Sequence, residues 1–233
     1  ALGTRRGEIW IVSGAGSSDV SSMTYQLFAS GLHEVLGIAY NPKDKCLYAT
    51  TRYEITRLKD TDGDGRADVF DNVNDSWGVS GDYHEYAIGS NFDKAGDLWV
   101  TLCLTGSFNS SVPFRGWALR VKPDGTMVPT CSGIRSPGGV GFDADGEVYY
   151  CDNQGPWHGS CTLQHLIPGT FQGHPAGNVW YDKAPNMGPR PIDPIPEAFQ
   201  GDRKRGEPKP GGDPDNMVIE RERIKQLVPP AAY

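Results

Sequence analysis

"YNPKDKCLYATT" (Tyr40–Thr51), "FDKAGDLWVTLC" (Phe92–Cys103) and "FDADGEVYYCDN" (Phe142–Asn153) are three versions of one phrase. Each runs from an aromatic residue through Asn or Asp and a polar turn to an apolar–aromatic pair, then to small or β-branched residues. Leu47, Leu98 and Val148 anchor the phrase at intervals of 51 and 50 residues. Alternating apolar positions on either side of a Gly/Asp turn predict two antiparallel strands, because such turns need residues that tolerate positive φ. A β-hairpin recurring at about 50 residues, with no 3.6-residue periodicity, is the mark of a β-propeller blade. The fold expected is therefore all-β. "GEIWIV" (Gly7–Val12) reads as the remnant of an earlier blade, and "WALRVKPDGTMVP" (Trp117–Pro129) as an outer hairpin.

Upstream of two hairpins a second phrase repeats: "GLHEVLGIAY" (Gly31–Tyr40) and "GIRSPGGVGF" (Gly133–Phe142). Seven residues before Tyr40, Phe92 and Phe142 stand His33, Glu85 and Arg135, with His84 beside Glu85. Blades radiate from one axis, so matching repeat positions lie around one mouth, and convergent concave places of that kind hold ligands. At this period the chain supplies three to four blades, spread over residues 7–80, 81–130 and 131–182. A full ring has about four to eight, and an open arc leaves bare strand edges. The sequence thus reads as a fragment of a larger propeller, with blades missing on both sides. Residues 183–233 are rich in Pro, Gly and charge and read as an insertion or tail, with a short helix expected over 216–228.

Composition narrows the function. With 29 acidic against 22 basic side chains the net charge is -7, and no basic stripe offers a nucleic-acid footprint. No run of 18 apolar residues offers a transmembrane segment. The five cysteines form no CxxC pair, which removes the usual zinc and thioredoxin spacings; a Cys151–Cys161 bridge is one expectation and buried free thiols the other. No GxSxG, HExxH or phosphate loop appears.

"DTDGDGRADVFD" (Asp60–Asp71) has the spacing of a twelve-residue calcium loop. Asp60, Asp62, Asp64, Asp68 and Asp71 fall at the ligand positions, Gly65 takes the sharp turn, and Arg66 offers its carbonyl. Asp71 stands where the longer bidentate Glu is usual, and the preceding "YEITRLK" reads as a strand. The bound ion expected is a structural Ca2+ that pins the connection between blades.

"YHEYAIGSNFDKAGDLWVTL" (Tyr83–Leu102), "GIRSPGGVGFDADGEVYYCDNQGP" (Gly133–Pro156) and "IPGTFQGHPAG" (Ile167–Gly177) resemble the soluble quinoprotein glucose/sorbosone dehydrogenases. The likeness covers about residues 7–182 and is nearest to the large extracytoplasmic bacterial members of sorbosone-dehydrogenase type. It implies a six-bladed propeller using pyrroloquinoline quinone (PQQ) and Ca2+ to oxidise a sugar, with an external electron acceptor such as a cytochrome c, in the periplasm or outside the cell. By the same resemblance His84 matches the general base, Arg135 the residue that binds the quinone's oxygens and carboxylate, and His33 a polar cofactor contact. Gly155 and Pro156 match the pair whose carbonyls hold the cofactor's calcium. Glu85, Trp157 and His158 fall at the expected substrate mouth. Two departures stand out: Ser136 replaces the family's Asn after the Arg, and the cofactor-binding Lys of a later blade lies beyond this sequence. Two other functions suit a propeller mouth. One is a calcium-dependent sugar lactonase with Glu85, Asp152 and Asn153 as ligands; the other is a non-catalytic module that binds glycans or proteins.

Overall fold

The computed structural model describes residues 1–154, 160–191, 225 and 228–232. Its strands form four antiparallel sheets arranged as successive blades of a partial β-propeller. The first sheet joins β1 (Leu2–Gly3), β2 (Ile9–Ser13) and β3 (Thr24–Ala29). The second runs outward from β4 (Gly37–Asn41) through β5 (Cys46–Thr50) and β6 (Ile55–Lys59) to β7 (Val69–Asn74). The third repeats that order with β8 (Ala87–Phe92), β9 (Leu98–Leu102), β10 (Trp117–Val121) and β11 (Met127–Ser132). The fourth has β12 (Pro137–Phe142), β13 (Val148–Asp152) and β14 (Thr162–His165). Residues 7–80, read above as one blade, thus carry most of one sheet and all of a second. Among the described residues the only helices are two 3-10 segments, Val20–Ser22 and Pro175–Lys183.

The repeated phrase is the hairpin between the two inner strands of each blade. Tyr40 pairs with Leu47, Phe92 with Leu98 and Phe142 with Val148. The turns are built alike. Asp93 Oδ1 accepts from the backbone N–H groups of Ala95, Gly96 and Asp97, and Asp143 Oδ1 from those of Asp145, Gly146 and Glu147. Two residues before each anchor the chain has positive φ, at Lys45 (61°), Gly96 (95°) and Gly146 (90°).

Period-two alternation makes each sheet a wall between two cores. From β9, Leu98, Val100 and Leu102 face a cluster with Tyr48 and Ile55 of the second blade, while Trp99 faces Val148 and Tyr150 of the fourth. From β5, Tyr48 enters the first of these clusters and Ala49 packs with Ile9 of the first sheet. Trp77 and Trp99 are core residues, as propeller packing predicts.

At the axis the innermost strands touch backbone to backbone. A glycine stands three residues before each hairpin aromatic: Gly37, Gly89 and Gly139. A Cβ on Gly37 would lie 2.4 Å from the Gly89 carbonyl oxygen, and one on Gly89 would lie 2.8 Å from Val140 Cγ2. Gly139 has nothing within 4 Å. The outer edge of the fourth sheet is met by the end of the chain, where Leu163 N–H donates to the Ala232 carbonyl (2.9 Å).

Cys46, Cys103 and Cys131 are buried thiols, and burial pushes the last two up to about 12. Cys151 and Cys161 are free and exposed. The expected bridge is absent because β13 and β14 pair Cys151 with Leu163, which leaves Cys161 two positions out of register. The helix expected over 216–228 lies almost wholly outside the described residues.

The axis contacts set a stability order. Gly37→Val, which must displace a backbone carbonyl, is expected to cost roughly 2 kcal/mol or more. Gly139→Val should stay within about 0.5 kcal/mol of the parent. Urea unfolding midpoints of the two variants test this order.

Candidate functional site

The segments that lead into β8 and β12 meet at one end of the propeller. His84 closes a short turn, Asp82–Tyr86, just before β8. Asp82 Oδ1 accepts from the His84 backbone N–H (2.8 Å), and these backbone bonds hold the Asp82 carboxyl below its ordinary value. The imidazole is half-buried and bonded at both nitrogens. Nδ1 lies 2.9 Å from the Leu104 carbonyl oxygen. A carbonyl only accepts, so Nδ1 carries the proton and Nε2 of the neutral ring presents its lone pair. Toward that lone pair point two hydroxyls, Ser107 Oγ at 2.8 Å and Ser136 Oγ at 3.1 Å.

Ser136 follows Arg135, so the contact joins the two loops that carry the expected base and the expected quinone ligand. The Arg135 carbonyl accepts from Leu104 N–H (3.0 Å), closing the link from the other side. Arg135 Nη1 donates to the Gln154 carbonyl (2.6 Å), and the guanidinium lies 5.6 Å from the centre of the Phe108 ring. Among the described residues its buried Nε has no hydrogen-bond partner.

Two buried charges and one half-buried one hold these loops. Asp152, 4% exposed, accepts from the backbone N–H groups of Arg135, Ser136 and Asn153 and from Tyr150 Oη. Burial pushes its carboxyl up, and the backbone bonds oppose the push. Arg115, fully buried, donates to the carbonyls of Gly78, Tyr86 and Arg52; burial lowers it to about 10, with Glu85 acting against that shift. Arg52 pairs with buried Glu34 at 2.6 Å and donates to the Asp82 and Tyr83 carbonyls, directly ahead of His84.

Glu85, expected at the substrate mouth, is buried away from it. It is 0% exposed, and it accepts from Ser80 N–H (2.6 Å), Ser80 Oγ (3.0 Å) and Thr105 Oγ1 (2.6 Å). Of the side chains weighed as lactonase ligands, Glu85 and Asp152 therefore spend their oxygens on protein donors, while exposed Asn153 accepts from Cys161 Sγ at 3.4 Å. His33 stands on the rim, half-exposed, with Nδ1 3.9 Å from Glu34 Oε2 and its ring 5.5 Å from that of Tyr53. It reaches His84 only through Glu34 and Arg52. Gly155, Pro156, Trp157 and His158 lie outside the described residues.

In the acidic loop, Asp60, Asp62 and Asp68 bring carboxylate oxygens within 4.8 Å of one another. The loop is braced by its own backbone: Asp60 accepts from Gly63 and Gly65 N–H, Asp62 from Asp64 N–H, and Asp64 from Arg66 N–H. Asp71 does not join them. It lies on β7, where Arg57 (2.8 Å) and Lys59 (2.6 Å) pair with it across the ladder.

Ser107, Asp82 and Arg52 were not predicted as site residues, and none of them belongs to a repeated phrase. Asp152 does belong to one, but it was weighed only as a metal ligand. Its role as a cap on two neighbouring loops needs the fold to be seen.

Residues 16–195 match the family described as a domain of unknown function (DUF7133), and the chain belongs to that family. No curated protein matches it. Solved structures do. A Thermus thermophilus protein described as a putative oxidoreductase (glucose dehydrogenase) aligns with a TM-score of 0.56 at 21% identity, covering 74% of this chain and 59% of its own. The PQQ-bound aldose sugar dehydrogenase of Streptomyces coelicolor aligns at 0.54 and 17%, over 73% and 57%. The holo PQQ domain of pyranose dehydrogenase from Coprinopsis cinerea aligns at 0.53 and 12%, over 75% and 55%. At these identities the likeness establishes the fold. The chain spans 55–59% of the length of these relatives. Among the described residues no helix is long and apolar enough to cross a membrane.

The charged side chains make two predictions. Arg52→Met, which strips buried Glu34 of its nearest cation, should cost roughly 3 kcal/mol, read by chemical denaturation. Asp68 and Asp71 have carboxyls held below the ordinary 3.8, by Thr61 and by Lys59 with Arg57 respectively. A lowered carboxyl stabilises the fold above its unfolded value and loses that contribution as pH falls through the folded one. Melting temperature should therefore fall below about pH 4, and Asp71→Asn should shrink that fall; an unchanged acid limb would contradict the pairing.

Proposed function

We propose that the chain is part of a quinoprotein-type oxidoreductase that oxidises a hydroxyl, or the hydrated aldehyde, of a sugar. The observation that carries the reading is the meeting of His84 and the Arg135 loop at one mouth, with Nδ1 of His84 against the Leu104 carbonyl and Nε2 facing the Ser136 hydroxyl. Its support from comparison is a fold shared with PQQ-bound sugar dehydrogenases. One feature of this chain fits the cofactor directly: Arg135 has a buried Nε donor, unpartnered among the described residues, on a planar cation. That group suits a flat polyanion better than a lysine would.

PQQ with Ca2+ as Lewis acid would supply the hydride acceptor. The chain's own residues do the rest. His84 Nε2 accepts the proton of the substrate hydroxyl, while the Leu104 carbonyl keeps the opposite proton on Nδ1 and so fixes the ring's orientation. Arg135 would bind the cofactor's anionic edge, and Gly155 and Pro156 would give carbonyls to its calcium. His33 would contact the cofactor from the rim, with Trp157 and His158 beside the sugar. Asp60, Asp62 and Asp68, with Asp64 and the Arg66 carbonyl nearby, would hold a second, structural Ca2+ of weak affinity, about 0.1–1 mM. The electron acceptor would be a protein such as a cytochrome c, and the site of action extracytoplasmic.

The test uses the full-length protein with PQQ, Ca2+, an aldose and a redox dye. His84→Ala should lower the rate of dye reduction by about 10²–10⁴ while quinone absorbance is still acquired. Arg135→Lys should weaken quinone uptake. Dye reduction undiminished in the His84 variant, or no quinone uptake by the parent, would overturn the reading.

A further inference from the structure

The turn Thr105–Asn109 holds a residue that local backbone preference would not choose. Gly106 and Ser107 both have positive φ, 53° and 68°. The turn is closed by Phe108 N–H and Asn109 N–H, which donate to the Thr105 carbonyl at 3.2 and 3.0 Å. Glycine adopts such a conformation without penalty, whereas a side chain is strained there. Strain of this kind is retained where the surrounding structure over-determines it. Here Asp82 Oδ1 does so, accepting from Gly106 N–H (3.1 Å) and from His84 N–H (2.8 Å). One carboxylate oxygen thus fixes the serine turn and the histidine relative to each other.

The product of that strain is the Ser107 hydroxyl at 2.8 Å from His84 Nε2, with Ser136 Oγ at 3.1 Å. A neutral imidazole has a single in-plane lone pair at this nitrogen, so it receives one hydroxyl proton well. The second hydroxyl is surplus.

We propose that Ser107 is a positioning residue whose hydroxyl holds the place of a substrate hydroxyl on His84 Nε2. In the resting site its O–H donates to the lone pair and keeps the ring aimed at the mouth. An incoming sugar hydroxyl takes the same position, and Ser107, released, bonds a neighbouring oxygen of the same ligand. The inference deepens the dehydrogenase reading and rests on it, but its first readout does not require activity.

That readout is the 15N resonance of Nε2 in the imidazole of His84, recorded on the protein, on Ser107→Ala and on Ser107→Gly. Both variants should move it downfield, toward a lone pair with one donor fewer. Asp82, Tyr83, Tyr86 and Arg52, the other groups around the ring, are unaltered in both. Ser107→Gly alone should also raise the melting temperature, by roughly 2–4 °C, because it alone relieves the backbone. D-glucose, titrated while the same resonance is followed, should return the Ser107→Gly resonance upfield to the parent's position, because the sugar hydroxyl supplies the donor that Ser107 gave, and should leave the parent's resonance nearly unmoved. An Nε2 resonance identical in all three proteins, or one in the glycine variant that saturating glucose does not move, overturns the proposal. Failure of the dehydrogenase reading looks different: no quinone uptake and no dye reduction, with the shift at His84 still present.

Discussion

The structure depends on how closely its innermost strands approach. Gly37 of β4 meets the Gly89 backbone of β8, and Gly89 in turn lies under Val140 of β12. A side chain at either glycine would push neighbouring blades apart at the axis. The loops that precede β8 and β12 are held only a few residues from these crossings, so the same separation would part His84 from Ser136. A site whose working contact is 3.1 Å has little tolerance for such movement, since misplacement by about 1 Å is enough to cost catalysis heavily.

Within the frame the crossings set, buried and half-buried polar groups hold the loops. Asp152 caps successive N–H groups around Arg135, Arg115 collects three carbonyls from three segments, and Arg52 holds the carbonyls just before His84. Burying such charges is unfavourable unless each is paired or fully hydrogen-bonded. Here every one is committed to backbone groups of loops with no secondary structure of their own. The consequence is precision at the mouth rather than stability: the loops are irregular, but their backbones are specified group by group.

The hairpins were legible because their turns and their alternation repeat: Leu47, Leu98 and Val148 do pair as the phrase predicts, and Trp99 does lie in a core. The repeat brings Glu85, with His84 beside it, level with Arg135; the family resemblance is what singles out His84. What escaped was everything that depends on a contact across blades. Glu85 shares the repeat position of Arg135, yet it points inward, while His84, one residue earlier, takes the mouth. Asp71 fits a calcium loop by spacing, but a strand begins at Val69 and pairs it with Arg57 and Lys59. Nothing in "TGSFN" announces that its serine will sit at positive φ against a histidine. Ser136, by contrast, is visible as a departure from the resembled family, and it is a direct neighbour of His84.

Fold and mouth together give a chemistry in which one end of a hub holds a proton acceptor and a planar cation. The most direct measurement is a crystal structure of the protein with PQQ and Ca2+. The account predicts quinone density in the mouth, in contact with Arg135 through its Nε and bordered by the His84 imidazole. Quinone bound elsewhere, or His84 and Arg135 found at opposite ends of the hub, would contradict it.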